Sequence, residues 1–238
     1  MARNDDVHAR LRAAILRGVY APRQRLVEAE LAEEYGASRF TLRNALILLA
    51  SDGLVELQPN RGARVREISL AEALEITELR QQVEGILAAR AAEKVTEEQS
   101  AFLLDLDERM RTAVATGDFL TYAGLNGTLH GTIRDIADHA TARRVLDQLH
   151  GQLVHHQFQL ALVPGRPHIS LPEHRAIIDA IRSRDPERAR AAMSAHVGSV
   201  AQTLTALAEQ RADGEPSAHG RFSVAHNSTP GAAVDSAD

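Results

Sequence analysis

Ala37-Ser38-Arg39-Phe40-Thr41-Leu42-Arg43-Asn44-Ala45-Leu46-Ile47-Leu48-Leu49-Ala50-Ser51-Asp52-Gly53 is the stretch that decides the fold. Ser38 is an N-cap residue, so a helix is expected from Arg39 to about Asp52, with Gly53 as its stop. Within it Leu42, Ala45, Leu46 and Leu49 recur at the spacing of one buried stripe. Arg39, Arg43 and Asn44 lie on the opposite face, with Ser38 and Thr41 nearby; all are donors suited to phosphates or guanine edges. Upstream, Arg25 to Gly36 (RLVEAELAEEYG) reads as a shorter helix ending on glycine. Downstream, residues 54–57 and 63–66 read as two strands around the turn Pro59-Asn60-Arg61-Gly62. Two helices joined by a three-residue turn and followed by a hairpin make a winged helix-turn-helix, which presents its second helix to the DNA major groove.

Charge distribution supports that reading. The 238-residue chain has a net charge of -5, which taken whole argues against a nucleic-acid partner. Residues 1–66, however, hold 11 Arg against 8 acidic residues and no lysine, a surplus of three. The acidic excess falls on the rest of the chain, so attraction for DNA is focused on one end. So small a surplus implies that affinity comes from a dimer and from base contacts. Phosphate contacts in the head would come from arginine, which forks bidentately. With no cysteine, disulfides and thiolate metal sites are excluded. No apolar run reaches the ~20 residues needed to span a bilayer, and Met1-Ala2-Arg3-Asn4-Asp5-Asp6 lacks an apolar signal core. A cytoplasmic protein with no membrane partner is expected.

The remainder predicts helix throughout. Hydrophobic residues make up 44% of the chain and aromatics only 3%, so the core must be aliphatic, which favours helix over sheet. Ser69-Leu70-Ala71-Glu72 and Thr96-Glu97-Glu98-Gln99 are capping boxes, Gly117-Asp118 is a break and restart, and Asp185-Pro186 is a cap followed by proline at the first helical position. Helices are expected over about 70–93, 97–115, 119–137, 141–162, 172–183 and 186–211, with Pro164-Gly165-Arg166-Pro167 as a loop. The expected fold class is therefore mainly α. Residues 1–68 form a winged helix-turn-helix, residues 69–211 an all-α helical bundle, and residues 212–238 a disordered tail.

Histidines carry the chemistry of the bundle. Asn126 and His130 are i and i+4 and share a helix face. His174, expected to open its helix after Pro172-Glu173, and His196 lie on two later helices. Three imidazoles and an amide oxygen from three helices can converge in a bundle core and bind a divalent metal, with positions left for water or a carboxylate ligand. Against this, the chain has 11 histidines, and an i, i+4 pair arises easily by chance. Arg80 stands beside the apolar stripe Ile76, Leu79, Val83 and Ile86. It can face a cavity or form an ordinary surface pair with Glu84. Arg134, one turn after His130, and Gln148 or Gln152 are further cavity candidates. His155 and His156 cannot share one site, His219 and His226 fall in the tail, and His139, His150 and His168 are unassigned.

Two sets of residues resemble known families. Leu26-x-Glu28-x-Glu30-Leu31-Ala32, Ser38-Arg39-x-x-x-Arg43-x-Ala45-Leu46, Asp52-Gly53-Leu54-Val55 and Arg61-Gly62-x-x-Val65 resemble the DNA-binding domain of the GntR superfamily of bacterial regulators. The usual Pro-Gly before the second helix is Pro22-Arg23 here. Arg80-x-x-x-Glu84, Leu125-Asn126-x-x-Leu129-His130, Glu173-His174-x-x-Ile177, Asp185-x-x-x-Ala189 and Met193-x-x-His196 resemble the FCD-type effector domain of the FadR-like branch. Together the two resemblances cover residues 10–205 or so. They imply a ligand-responsive transcriptional regulator, as a rule a repressor, that binds a pseudo-palindromic operator as a homodimer. Ser38, Arg39, Thr41, Arg43, Asn44 and the wing tip Arg61-Gly62 would contact DNA. Asn126, His130, His174 and His196 would hold a divalent metal such as zinc, nickel or manganese, where aspartate is frequent at the first position. Arg80 and Arg134 would meet a small organic-acid effector. The rival readings are a regulator whose metal is purely structural and a metal-dependent hydrolase or lyase with a DNA-binding head.

Overall fold

The computed structural model describes residues 4–59, 61–161, 163 and 165–214. In the head, helix α1 (Asn4–Leu16) is followed by strand β1 (Arg25–Leu26), helices α2 (Glu28–Glu34) and α3 (Arg39–Ser51), and strands β2 (Val55–Gln58) and β3 (Gly62–Val65). Leu42, Ala45, Leu46 and Leu49 of α3 are buried as their spacing required. They share one core with Leu26, Leu31, Val55 and Val65. Ser38 caps α3 by accepting the Thr41 amide. Sequence reasoning did not anticipate α1, whose Val7, Leu11, Ala14 and Ile15 complete that core.

Arg25-Leu26 corrects the expected start of the first helix. These residues pair with β3 in a sheet of order β1-β3-β2, Arg25 opposite Arg64 and Leu26 opposite Ala63. The physical reason is tertiary. Leu26 is buried in the head core, and the β3 edge offers its backbone partners, a gain that outweighs a helical pattern only three residues longer. Arg23, standing where the resembling family has glycine, is in the left-handed region at φ 65°. Its amide donates to the Val65 carbonyl and its guanidinium pairs with Glu67. The wing glycine is a steric necessity: at φ 82° a Cβ on Gly62 would stand 2.3 Å from the Leu26 carbonyl oxygen.

The body is built from α4 (Leu70–Lys94), α5 (Glu97–Ala115), α6 (Phe119–Ala137), α7 (Ala140–Ala161), α8 (Arg166–Arg182) and α9 (Pro186–Gly214). Of the two expected capping boxes, Thr96–Gln99 is complete, while at Ser69 only the Glu72 amide is bonded and the Glu72 carboxylate turns to Arg66. Asp185 accepts the Arg188 amide as expected, and Asp118, at the expected restart, accepts that of Thr121. The core is aliphatic and rich in alanine, with Ala88, Ala91, Ala92, Ala137 and Ala180 among its buried members. Small residues let α4 and α9 approach closely, so that a Cβ on Gly85 would lie 2.7 Å from Ser194 Oγ.

The fifth body helix begins six residues before the expected residue 172, and His174 is therefore mid-helix. Gly165 serves as the N-cap, Pro167 sits in the first turn where a missing N–H costs nothing, and Pro172 is carried inside the helix. Reading Pro172 as a start signal was the error. Helix α9 runs to Gly214, three residues beyond the expected end. The rest of the expected disordered tail, with His219 and His226, lies outside the described residues, as do the side chains of His155 and His156.

Helix α7 joins the two cores. Its Leu153 packs with Ile68, Ala73 and Ile76 at the connection between β3 and α4. Gln148 and Gln152, expected as cavity candidates, face the other way and donate to the carbonyls of Ser51 and Asp52 at the end of α3. They are one turn apart on α7, on the side away from His150. Arg12 of α1 completes the contact by donating to the Asp147 carbonyl.

Candidate functional site

Two sites emerge, one on each core. On the head, Arg39, Arg43, Arg61 and Gly62 line a groove of about 550 Å³ between α3 and the wing. Arg39 and Arg43 are exposed, and among the described residues neither is in an ion pair. Asn44 is half-buried on the same helix. The hydroxyls of Ser38 and Thr41 are bonded to each other at 2.9 Å, and Ser38 is committed to the cap. Sequence reasoning missed Arg25, which also lines the groove; a strand assignment for Arg25-Leu26 would have revealed it.

In the body, His130, His174 and His196 come from α6, α8 and α9, and one ring nitrogen of each lies within 4.8 Å of the others. Hydrogen-bond chemistry assigns the protons. The Glu84 carboxylate can only accept, so His130 Nδ1, 2.9 Å from it, carries a proton. Glu173 makes the same demand on His196 Nδ1 at 2.9 Å. Ser170 donates to the Arg166 carbonyl, so Tyr122 must donate to Ser170 and accept from His174 Nδ1 at 2.9 Å. All three rings thus engage Nδ1 from behind and leave Nε2 to face inward. Two of these, on His174 and His196, face each other at 3.3 Å. Burial, and the cost of adding a charge beside His196, His130 and the Arg166 guanidinium, push the His174 imidazole well below its usual range, and burial lowers His196 as well. Both are held neutral, the form that ligates metal.

Asn126 stands beside them. Its Oδ1 is buried and has no hydrogen-bond partner, while the residue itself lines the same cavity. An orphaned amide oxygen and three converging imidazole nitrogens are the donor set of a divalent cation, and the residues present fit one. Each ring is steadied from behind by Glu84, Tyr122 or Glu173, the usual outer arrangement around metal-binding histidines.

The cavity measures about 320 Å³ and is also lined by Arg80, Arg134, His150 and Arg166. Arg80 does pair with Glu84, at 2.8 Å, but the pair is buried, with side chains 8% and 4% exposed, so the surface-pair reading is wrong. Burial alone would raise the Glu84 carboxyl. The Arg80 guanidinium and hydrogen bonds from His130 and His150 outweigh it and hold the group well below the usual carboxylate range. Arg166, unassigned from sequence because it was read as loop, is buried and donates to Ser199 and Glu173. Arg134 differs: its described partner is His150 Nδ1, at 3.2 Å. Guanidinium only donates, so His150 carries its proton on Nε2, which points to Glu84 at 3.3 Å. Among the described residues Arg134 is a cavity cation without a carboxylate.

A winged head on an all-α body with a histidine-lined cavity defines a class, the DNA-binding transcription regulators, and comparison with known proteins agrees. Residues 3–65 match the bacterial regulatory proteins of the gntR family, and residues 75–199 match the FCD domain. The chain belongs to the gntR family and carries an FCD domain; it is a transcription regulator and not an enzyme. The HTH-type transcriptional repressor RspR of Escherichia coli (strain K12) is 27% identical over 210 residues, 88% of this chain and 92% of that protein. An uncharacterized HTH-type regulator in an unstable DNA locus of Streptomyces ambofaciens is 31% identical over 204 residues, 82% of each chain. A probable D-xylose utilization operon transcriptional repressor of Paenarthrobacter nicotinovorans is 30% identical over 177 residues, 71% of this chain and 74% of that one. The solved structure of E. coli McbR/YncC shares the fold, with a TM-score of 0.68 at 23% identity over 89% of this chain and 100% of that one. The hydrolase or lyase alternative is thereby set aside. Among the described residues no helix is long and apolar enough to cross a membrane.

Proposed function

We propose that this regulator is a cytoplasmic, homodimeric repressor that binds a pseudo-palindromic operator through residues 1–68 and is controlled by a small organic acid held in residues 69–211. The observation that carries the effector half is the ring of three inward Nε2 atoms and the orphaned Asn126 oxygen, opening onto a cavity that Arg134 also faces. His130, His174, His196 and Asn126 would hold a divalent cation such as zinc, nickel or manganese. When bound, it supplies positive charge and open positions for an anionic oxygen. Arg134 is the better-placed clamp for the rest of a carboxylate, because Arg80 and Arg166 are already engaged by Glu84 and Glu173. Such a cavity admits a ligand of a few carbons.

On the DNA side, Arg39 and Arg43 meet guanine edges or phosphates, with Thr41 and Asn44 beside them, and Arg61 with Gly62 enters the minor groove. Ser38 acts chiefly as the cap. Coupling between the sites has a material path in α7. One side of that helix places His150 in the cavity, and the other grips the end of α3 through Gln148 and Gln152. An effector that moves α7 moves α3, and by linkage DNA weakens the effector by the same factor.

The experiment is selection from a random duplex library with the purified chain, followed by binding to the winner with His174→Ala. An inverted repeat, bound normally by a variant that has lost metal and effector response, supports the reading. Recovery of no sequence, or full metal occupancy in His174→Ala, overturns it. A metal that binds while no small acid alters operator affinity would establish the structural-metal alternative.

A further inference from the structure

The outward face of α3 is not uniformly polar. Phe40, the second residue of the helix, is 72% exposed, and Ile47, two turns on, is 46% exposed. Positions 40, 43 and 47 follow one line along the helix, opposite the buried Leu42, Ala45, Leu46 and Leu49. Phe40 is outside the hydrophobic core of the head, so the core does not account for it. The ring stands in the first turn of the helix, beside Arg39 and Arg43, which are in no ion pair among the described residues. A line on which two exposed apolar side chains alternate with a cation suits a surface that offers both apolar groups and anions. The major groove has that pattern at thymine, whose C5 methyl projects between the phosphate walls.

We infer that Phe40 is a specificity-determining residue that reads a thymine methyl in each operator half-site, with Ile47 as a second apolar contact beyond Arg43 on the same line. This rests on the DNA-binding reading above and sharpens it. Arginines alone account for phosphate and guanine contacts, whereas Phe40 adds a preference for thymine that no hydrogen bond supplies. Because the side chain is exposed, its removal leaves the head core intact.

The test uses the full chain and the operator recovered by library selection. Each thymine is replaced in turn by deoxyuridine, which keeps every hydrogen-bonding group of thymine and lacks only the methyl. Wild-type protein is expected to bind about fourfold more weakly for each contacted methyl removed, the value of one buried methylene-sized group. Phe40→Ala is expected to bind the thymine and deoxyuridine duplexes equally. If that variant binds too weakly to titrate, Phe40→Leu is compared on the same duplexes and should show a smaller methyl preference than wild type. A methyl preference unchanged in either variant, or no methyl-sensitive thymine with wild type, overturns the proposal while leaving the operator reading intact. Failure of the library to yield any sequence removes both.

Discussion

The arginines of α3 and those of the cavity carry the same guanidinium in opposite electrical situations. Arg39 and Arg43 are exposed and, among the described residues, unpaired. Arg80 and Arg166 are buried and matched by Glu84 and Glu173. A buried cation must bring its own anion, since desolvation without a partner costs several kcal/mol, while an exposed one can wait for an anion to arrive. The comparison separates arginines already matched inside the protein from those left available to an anion from outside. Arg134 falls on the second side although it belongs to the body.

The largest expected effect tests this division through stability. Arg80→Ala leaves Glu84 buried without its cation and should lower unfolding free energy by about 3 kcal/mol. Arg39→Ala should stay within about 0.5 kcal/mol of wild type. Urea unfolding of both variants checks it, and equal effects would erase the distinction. Operator binding inverts the order. Arg43→Ala should lose about 1–3 kcal/mol per half-site with fold and dimer unchanged; normal affinity there would remove α3 as the reading helix.

A smaller effect probes the shell behind the histidines. Tyr122→Phe deletes the acceptor of His174 Nδ1 and should weaken metal binding about tenfold, read by competition with a chromophoric chelator. Unchanged affinity would mean that His174 is aimed by packing alone. The smallest concerns the loop residue Arg23. Arg23→Gly removes a left-handed arginine at the cost of one exposed ion pair and should raise stability by up to about 1 kcal/mol, measured by thermal unfolding. A loss would show that the Glu67 pair outweighs the backbone strain.

Legibility followed the range of the interactions. The caps at Ser38, Thr96, Asp118 and Asp185 and the stripe of α3 were readable, because each depends on residues three or four apart. Helix α8 was misread because Pro172, a legitimate start signal, is tolerated inside a helix that Gly165 and Pro167 had already begun. Arg25-Leu26 was misread because its partner, Arg64-Ala63, lies on another strand. The surface reading of the Arg80–Glu84 pair failed on burial alone: the i, i+4 contact was right, and what covers it is supplied by α6 and α7.

By itself, then, the sequence determined a winged head, a helical body and the residue types able to ligate a metal, since periodicity, capping and charge are local properties of the chain. Only the tertiary structure decided which way the ligands point. His130 is aimed by Glu84 from 46 residues away, His174 by Tyr122 from 52 and His196 by Glu173 from 23. Such contacts exist only once helices have packed. They turn three histidines with two nitrogens each into a set in which one nitrogen of each faces one point.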